Sequence, residues 1–258
     1  MKNSNIPIFI LVAFVIILII YIKEYNTSKY TQLPGHKIPR CIYLTYKTKD
    51  SIPKNVIQTL EHMNPGYSVN VYGDDECYHF LKTYFSQEYA DFFQTKIRQG
   101  PIKADFWRAC VIYIFGGVYL DADVRLEKPL DEIIANHVTF CTSGSKIKNR
   151  VNPIILAATP KSPVIKDCIE YMYESRNRDY DYWTYSICNH LAKSVSKHIP
   201  LYKNNESGFF EMQDGFQAQM FSENHCQDVE EMATFWYGDK ILNNHNPKSY
   251  DNRGHAFI

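Results

Sequence analysis

The stretch Gly116-Gly117-Val118-Tyr119-Leu120-Asp121-Ala122-Asp123-Val124 constrains the fold more than any other part of the chain. Read as a strand, it alternates side chains between two faces. Val118, Leu120, Ala122 and Val124 then point one way, and Tyr119, Asp121 and Asp123 the other. Four small apolar side chains suit a packed interior. Two carboxylates one strand repeat apart, roughly 6.6–6.8 Å, do not, because they repel each other and are costly to bury unpaired. Two readings follow. The strand runs out into solvent with two surface aspartates, or a hard divalent cation bridges the carboxylates to a bound anion.

The residues just upstream favour the second reading. Ile102 to Phe115 reads as a helix that is apolar nearly all round, and such a helix is buried. Within it Asp105 and Arg108 stand three apart, on one face. They form an internal ion pair, or a pair lining a polar site. The helix feeds directly into Gly116-Gly117, so both acidic features fall within reach of one cavity.

The rest of the composition sets bounds. The chain has 258 residues, 45% of them hydrophobic, enough for one domain with a substantial core. Lys+Arg and Asp+Glu balance at 28 each, which argues against nucleic acid as a partner. The seven cysteines include no CxxC pair, which argues against a zinc site, and several lie in apolar runs as small hydrophobes. A disulfide scaffold is excluded; a single disulfide is left open.

Residues 6–22 carry no charge and make about 26 Å of helix, the short end of a bilayer span. No small-x-small cleavage site follows, so an uncleaved signal anchor is expected after a short tail, residues 1–5. Residues 23–37 are polar and read as a stem. Asn26-Thr27-Ser28 and Asn205-Glu206-Ser207 fit the glycosylation sequon. The folded domain is expected to span 38–258. Its first strand is Arg40 to Tyr46, followed by a helix from Pro53 to about Met63. A turn at Asn64-Pro65-Gly66-Tyr67 and a strand from Ser68 to Tyr72 come next, then helix over 76–95. This order predicts a largely parallel α/β sheet. Further strands are expected at 138–141 and 154–158, and helices at 164–173 and 180–198. Residues 200–240 give no clear pattern, and the segment 243–250 reads as a polar loop.

Taken together, Asp105-x-x-Arg108, seven residues, and Gly116 to Asp123 resemble the DXD glycosyltransferases related to the yeast initiating α-1,6-mannosyltransferase, glycosyltransferase family 32. The clostridial glucosylating toxins share this core pattern. Ile38-Pro39-Arg40-Cys41 to Lys47, Asn64 to Tyr67, Val71 to Asp75 and Lys128-Pro129-Leu130-Asp131 match other family segments. So do Val151-Asn152-Pro153 with Pro160 to Pro163, and His245-x-x-x-Ser249-Tyr250. Tyr46 and Tyr250 stand where the family usually carries Trp.

The resemblance implies a GT-A fold, a Rossmann-like mixed sheet flanked by helices. It implies a retaining, metal-dependent hexosyltransferase that uses a GDP- or UDP-sugar and a glycan or glycolipid acceptor. Asp121, Asp123 and His245 would hold the metal, Mn²⁺ first and Mg²⁺ second. Asp105, Arg108, Asp121 and Asp123 would be the catalytic set. The donor would be held by Tyr46, Asp105, Arg108, Tyr119, Asp121, Asn152, Ser249 and Tyr250, with Ser249 and Tyr250 closing as a lid. Tyr46 has two readings, a platform for the base or part of the core. Anchored through residues 6–22, the catalytic domain would face the Golgi or endoplasmic reticulum lumen, or an equivalent compartment. The alternatives are a tethered carbohydrate-binding protein without catalysis and a nucleotide-sugar hydrolase.

Overall fold

The computed structural model describes residues 37–179, 181–224, 231–237 and 239–245, with side chains in the last two segments described only at Ile241 and Leu242. The anchor at 6–22, the preceding tail and all of the stem but Lys37 lie outside these residues. Among the described residues no helix is long and apolar enough to cross a membrane.

Strand β1 (Cys41–Thr45) is buried through its first four residues and sits between two parallel neighbours. These are β2 (Ser68–Tyr72) and β3 (Gly117–Leu120). Helix α1 (Lys54–Met63) links β1 to β2, with Pro53 at its N-cap rather than inside it. Helix α2 (Asp74–Tyr84) follows β2; the expected continuous helix to 95 breaks at Phe85 into α3 (Gln87–Asp91) and a π-turn. Helix α4 (Gly100–Phe115) begins with Pro101 in its first turn, where a missing N–H costs nothing.

The exit from α4 depends on Gly116 and Gly117, at φ +67° and +104°. A Cβ on Gly116 would meet Pro160 Cδ at 2.6 Å, and one on Gly117 would meet Cys41 O at 2.6 Å. Only glycine combines that backbone with that closeness, so the chain can reverse from helix into a central strand. Beyond β3 come β4 (Val124–Leu126), α5 (Leu130–Ile133), β5 (Phe140–Gly144) and β6 (Val151–Ala158). Then follow α6 (Pro163–Glu174), α7 (Tyr182–Tyr185) and α8 (Ile187–His198). The last strands are β7 (Gly208–Glu211), β8 (Gln217–Asn224), β9 (Glu231–Tyr237) and β10 (Asp239–His245).

The sheet is mixed rather than largely parallel. Its order is β2-β1-β3-β6-β5-β8-β9-β10-β4, with β7 on β8. Strand β6 runs antiparallel to both β3 and β5, while β5 and β8 are parallel. The expected polar loop at 243–250 is in part a strand: β10 pairs antiparallel with β4, Asn244 opposite Val124.

The alternation read from the sequence holds, but the strand is shorter than expected. Tyr119 packs into a core cluster with Trp107, Phe80 and Phe106 on one face. Val118, Leu120 and Val124 join Ile42, Leu44 and Phe221 on the other, with Ala122 packed against them. The matched segments at Arg40, Asn64, Tyr67 and Asp131 hold one another. Asp131 accepts from Arg40 at 2.7 Å and from Tyr67 Oη at 2.8 Å, and Leu130 N donates to Asn64 Oδ1 at 2.7 Å. Among the described residues all six cysteines are free thiols. The Asn205 amide donates to Glu223 O at 2.9 Å, so a glycan on that nitrogen would break a native bond.

Gly117→Ala adds a Cβ where the backbone is left-handed and Cys41 O is too close. The expected cost is about 2 kcal/mol or more, a fall in Tm of several degrees. Thermal denaturation reads it, and an unchanged Tm would contradict the close packing.

Candidate functional site

Three elements meet where β3 ends. Strand β3 ends at Leu120, and residues 121–123 form a turn closed by Val124 N donating to Asp121 O at 3.1 Å. Asp121 and Asp123 therefore sit on a turn, not on one face of a continuous strand as the sequence suggested. The turn brings them to the carboxyl end of β3, where Asp123 is half-exposed and the Asp121 side chain is 30% exposed.

Helix α4 supplies Arg108, which is 4% exposed. Its guanidinium forks onto Asp121, Nη2 to Oδ1 at 2.8 Å and Nη1 to Oδ2 at 3.4 Å. Nη2 also lies 3.1 Å from Asp105 Oδ1, and Nη1 donates to Pro153 O at 2.8 Å. The guanidinium carbon stands 4.3 Å from the Tyr119 ring centroid. A delocalised, planar cation is suited to holding several acceptors and a ring at once. This one side chain joins the Asp105/Arg108 pair of the helix to Asp121, the first aspartate of the turn.

Strand β6 supplies the Pro153 carbonyl because its pairing with β5 is irregular. Thr142 faces Leu156, but the next residue, Ser143, faces Asn152. Residues 153–155 are passed over in that ladder, which accommodates a proline that has no N–H to give. The Pro153 carbonyl takes Arg108 Nη1 instead, while the Ile154 carbonyl takes Asp121 N at 3.3 Å, one step beyond the β3–β6 ladder.

Asp105 is 7% exposed. Its second oxygen accepts from Ile187 N at 3.2 Å and Ser186 Oγ at 3.4 Å, at the start of α8, where a carboxylate is favoured. Burial nevertheless pushes its pKa up to about 6, against the pull of Arg108, with Asp121 adding to the rise. Burial works against the Arg108 charge too, but Asp121 first, then Tyr119 and Asp105, outweigh it and raise its pKa. The shorter contact belongs to Asp121, so Asp105 is the less neutralised of the two carboxylates.

The other expected site residues fall at different distances from this cluster. Tyr119 is 1% exposed beneath Arg108, so it meets the site only through that guanidinium and does not line a donor cleft. Tyr46 lies at the carboxyl end of β1, half-buried against the core cluster of β1, its backbone N bonded to Tyr72 O at 3.1 Å. Asn152 donates from Nδ2 to Glu223 Oε1 at 2.8 Å. Ser249 and Tyr250 lie outside the described residues. For His245 only the backbone is described. The antiparallel match of Asn244 with Val124 carries it to the level of Asp123.

Two residues that sequence reasoning passed over belong here. Tyr182, on the short helix α7, is pushed up to about 12 by burial first and then by the nearby Asp105 carboxylate; the Arg108 and Asp121 charges also reach it. Glu223 holds Asn152 from β8. Nothing local marks either one: Tyr182 is one of 20 tyrosines, and Glu223 lies in the segment without a clear period. Among the described residues no three His, Cys, Asp or Glu side chains cluster as metal ligands.

Arg108→Met leaves two carboxylates without their cation and should cost about 3–5 kcal/mol, read by chemical denaturation; a loss below 1 kcal/mol would contradict the clamp. Asp105 also sets a pH dependence. Its pKa is about 6 folded against an ordinary 3.8, so between those values the folded chain binds a proton that the unfolded chain has released. Its contribution to stability falls as pH rises through that window and levels off above it. The stability difference between wild type and Asp105→Asn should show that fall; a flat difference would contradict it.

Residues 52–140 match the family described as "Glycosyltransferase sugar-binding region containing DXD motif". Inositol phosphoceramide mannosyltransferase 1 of Schizosaccharomyces pombe is 25% identical over 215 residues, 72% of this chain and 64% of that protein. The initiation-specific alpha-1,6-mannosyltransferase of Candida albicans is 31% identical over 134 residues, 48% of this chain and 34% of that protein. A mannosyl phosphorylinositol ceramide synthase of Saccharomyces cerevisiae is 30% identical over 152 residues, 57% and 36%. The chain spans less than two thirds of the length of each. The solved PaToxG glycosyltransferase gives a TM-score of 0.46 at 16% identity, covering 76% of this chain and 81% of that one. Asp105, Arg108, Asp121 and Asp123 thus all lie within the segment that matches the DXD-containing glycosyltransferase sugar-binding region.

Proposed function

We propose that this chain is a retaining, metal-dependent hexosyltransferase of GT-A architecture that moves a mannose-type sugar from a nucleotide sugar to a glycolipid or glycan hydroxyl. The observation that carries the reading is the Arg108 clamp, one buried cation joining Asp105 of α4 to Asp121 of the DXD turn. The choice of mannose rests on the names of the three relatives above. The choice of a glycolipid acceptor before a glycan rests on the two whose names include inositol and ceramide.

The donor set suits a divalent cation: two carboxylates two residues apart on a partly exposed turn, with the His245 backbone brought level with Asp123. Asp123 and Asp121 would hold it, with His245 as third ligand, and Mn²⁺ suits a set that mixes carboxylate and imidazole. Such an ion supplies Lewis-acid stabilisation of the departing nucleoside diphosphate. Arg108 and Asp105 would grip sugar hydroxyls, with Arg108 also offsetting charge that develops beside it. Tyr46 would stack on the base, and Ser249 and Tyr250 would close over the phosphates. Both oxygens of Asp105 are engaged, by Arg108 and by the start of α8, which leaves it poorly placed as a nucleophile. This favours direct front-face attack by the acceptor hydroxyl, with the leaving diphosphate taking its proton. Residues 6–22 would anchor the enzyme with its catalytic domain in the Golgi or endoplasmic reticulum lumen.

The test is Mn²⁺-dependent turnover of GDP-mannose, with UDP-glucose and UDP-galactose beside it. Asp123→Ala should lower the rate at least about 100-fold with Tm unchanged; undiminished transfer by that variant contradicts the assignment. Tyr46→Ala should raise the donor KM by about tenfold, the worth of one stacked base. An unchanged KM would return Tyr46 to the core.

A further inference from the structure

Glu223, near the end of β8, is only 4% exposed. Its Oε2 accepts from Ser145 Oγ at 2.9 Å and from Lys146 N at 2.8 Å, and its Oε1 accepts from Asn152 Nδ2 at 2.8 Å. Its backbone is held as well. Glu223 N donates to Asn205 Oδ1 at 2.6 Å, and Asn205 Nδ2 donates to Glu223 O at 2.9 Å. Among the described residues no Lys, Arg or His side chain forms an ion pair with it. A carboxylate buried among neutral donors is expensive, and a hydrophobic residue of similar size would pack there at lower cost. Stability alone does not account for it.

Its position does. Asn152 immediately precedes Pro153 and Ile154, whose carbonyls hold Arg108 and Asp121. An asparagine amide has a donor end and an acceptor end, whereas an ionised glutamate only accepts. Glu223 therefore fixes the Asn152 amide one way round, with Nδ2 towards itself and Oδ1 turned from it. Among the described residues no donor reaches Asn152 Oδ1. An acceptor in that place suits a hydroxyl and repels a phosphate oxygen.

We propose that Glu223 is a positioning residue that locks the Asn152 amide so that its Oδ1 receives a hydroxyl of the sugar and makes no contact with the diphosphate. This rests on the glycosyltransferase reading above. Through Ser145 and Lys146 the same carboxylate ties the β5–β6 loop to β8, and Asn205 ties the segment before β7 to the Glu223 backbone.

The test uses the full chain as wild type, Glu223→Gln, Asn152→Ala and the double variant. The donor is whichever of GDP-mannose, UDP-glucose and UDP-galactose the wild type turns over best. Its kcat/KM is measured beside the Kd of the matching nucleoside diphosphate in Mn²⁺. Each single variant should lose about tenfold in kcat/KM for the sugar donor, the scale of one hydrogen bond. The diphosphate Kd should stay within about twofold, and the double variant should be no worse than Asn152→Ala, because both act through one amide. Equal losses for donor and diphosphate, or losses that multiply in the double variant, overturn the proposal in favour of a merely structural Glu223. Where Glu223→Gln does not fold, Asn152→Asp sets two carboxylates against each other and should show the same split; undisturbed donor kinetics overturn the proposal. Wild-type turnover with an unaffected Glu223→Gln sinks the positioning role alone. No turnover of any of the three donors sinks the glycosyltransferase reading and this role with it.

Discussion

The Arg108 guanidinium is the interaction on which the rest of the site depends. It is buried inside a helix whose other inward residues, Asp105 apart, are apolar, so its charge has to be matched locally. Asp121 matches it from the DXD turn, Asp105 from its own helix, the Pro153 carbonyl from β6 and the Tyr119 ring from below. Three elements, α4, β3 with the turn after it, and β6, are fixed to one planar group. Removing that group would leave the buried Asp105 carboxylate with neutral donors alone and Asp121 without its cation.

The fold is arranged to deliver these pieces. Gly116 and Gly117 let α4 turn straight into β3, so that Arg108 in the helix and Asp121 past the strand end lie close together. Where the β5–β6 ladder breaks, the Pro153 carbonyl serves the site. Strand β10 returns the far end of the described chain to β4, beside the same turn. Helix α8 presents its first N–H, that of Ile187, and the Ser186 hydroxyl to Asp105. The cluster thus draws on residues more than eighty positions apart, Asp105 and Ile187 among them.

Much of this was legible in the sequence because it was local. The buried first strand, the strand at Ser68–Tyr72, the apolar helix through Asp105 and Arg108 and the facing of Val118, Leu120 and Val124 all follow from periodicity within a few residues. The direction of β6 was not legible, since an apolar run gives no sign of which way its partners run. Nor was the end of β3 at Leu120. Alternation carries on through Ala122 and Val124, and only the Val124 N–Asp121 O bond shows that the chain has turned. Glu223 and Tyr182 gained meaning from partners distant in sequence, Asn152 and the Asp105–Arg108 pair. The matched segment 52–140 contains Asp105, Arg108 and Asp121, the three charged residues of the clamp, while Pro153 and the start of α8 lie outside it.

The most direct test of the clamp as a working part of the site is a double-mutant cycle on donor turnover in Mn²⁺, with Arg108→Met, Asp121→Asn and both together. If Arg108 acts by holding Asp121, the double variant turns over no more slowly than the slower single variant, because the second change removes an interaction already lost. Losses that multiply, or an Arg108→Met enzyme as fast as wild type, would contradict it.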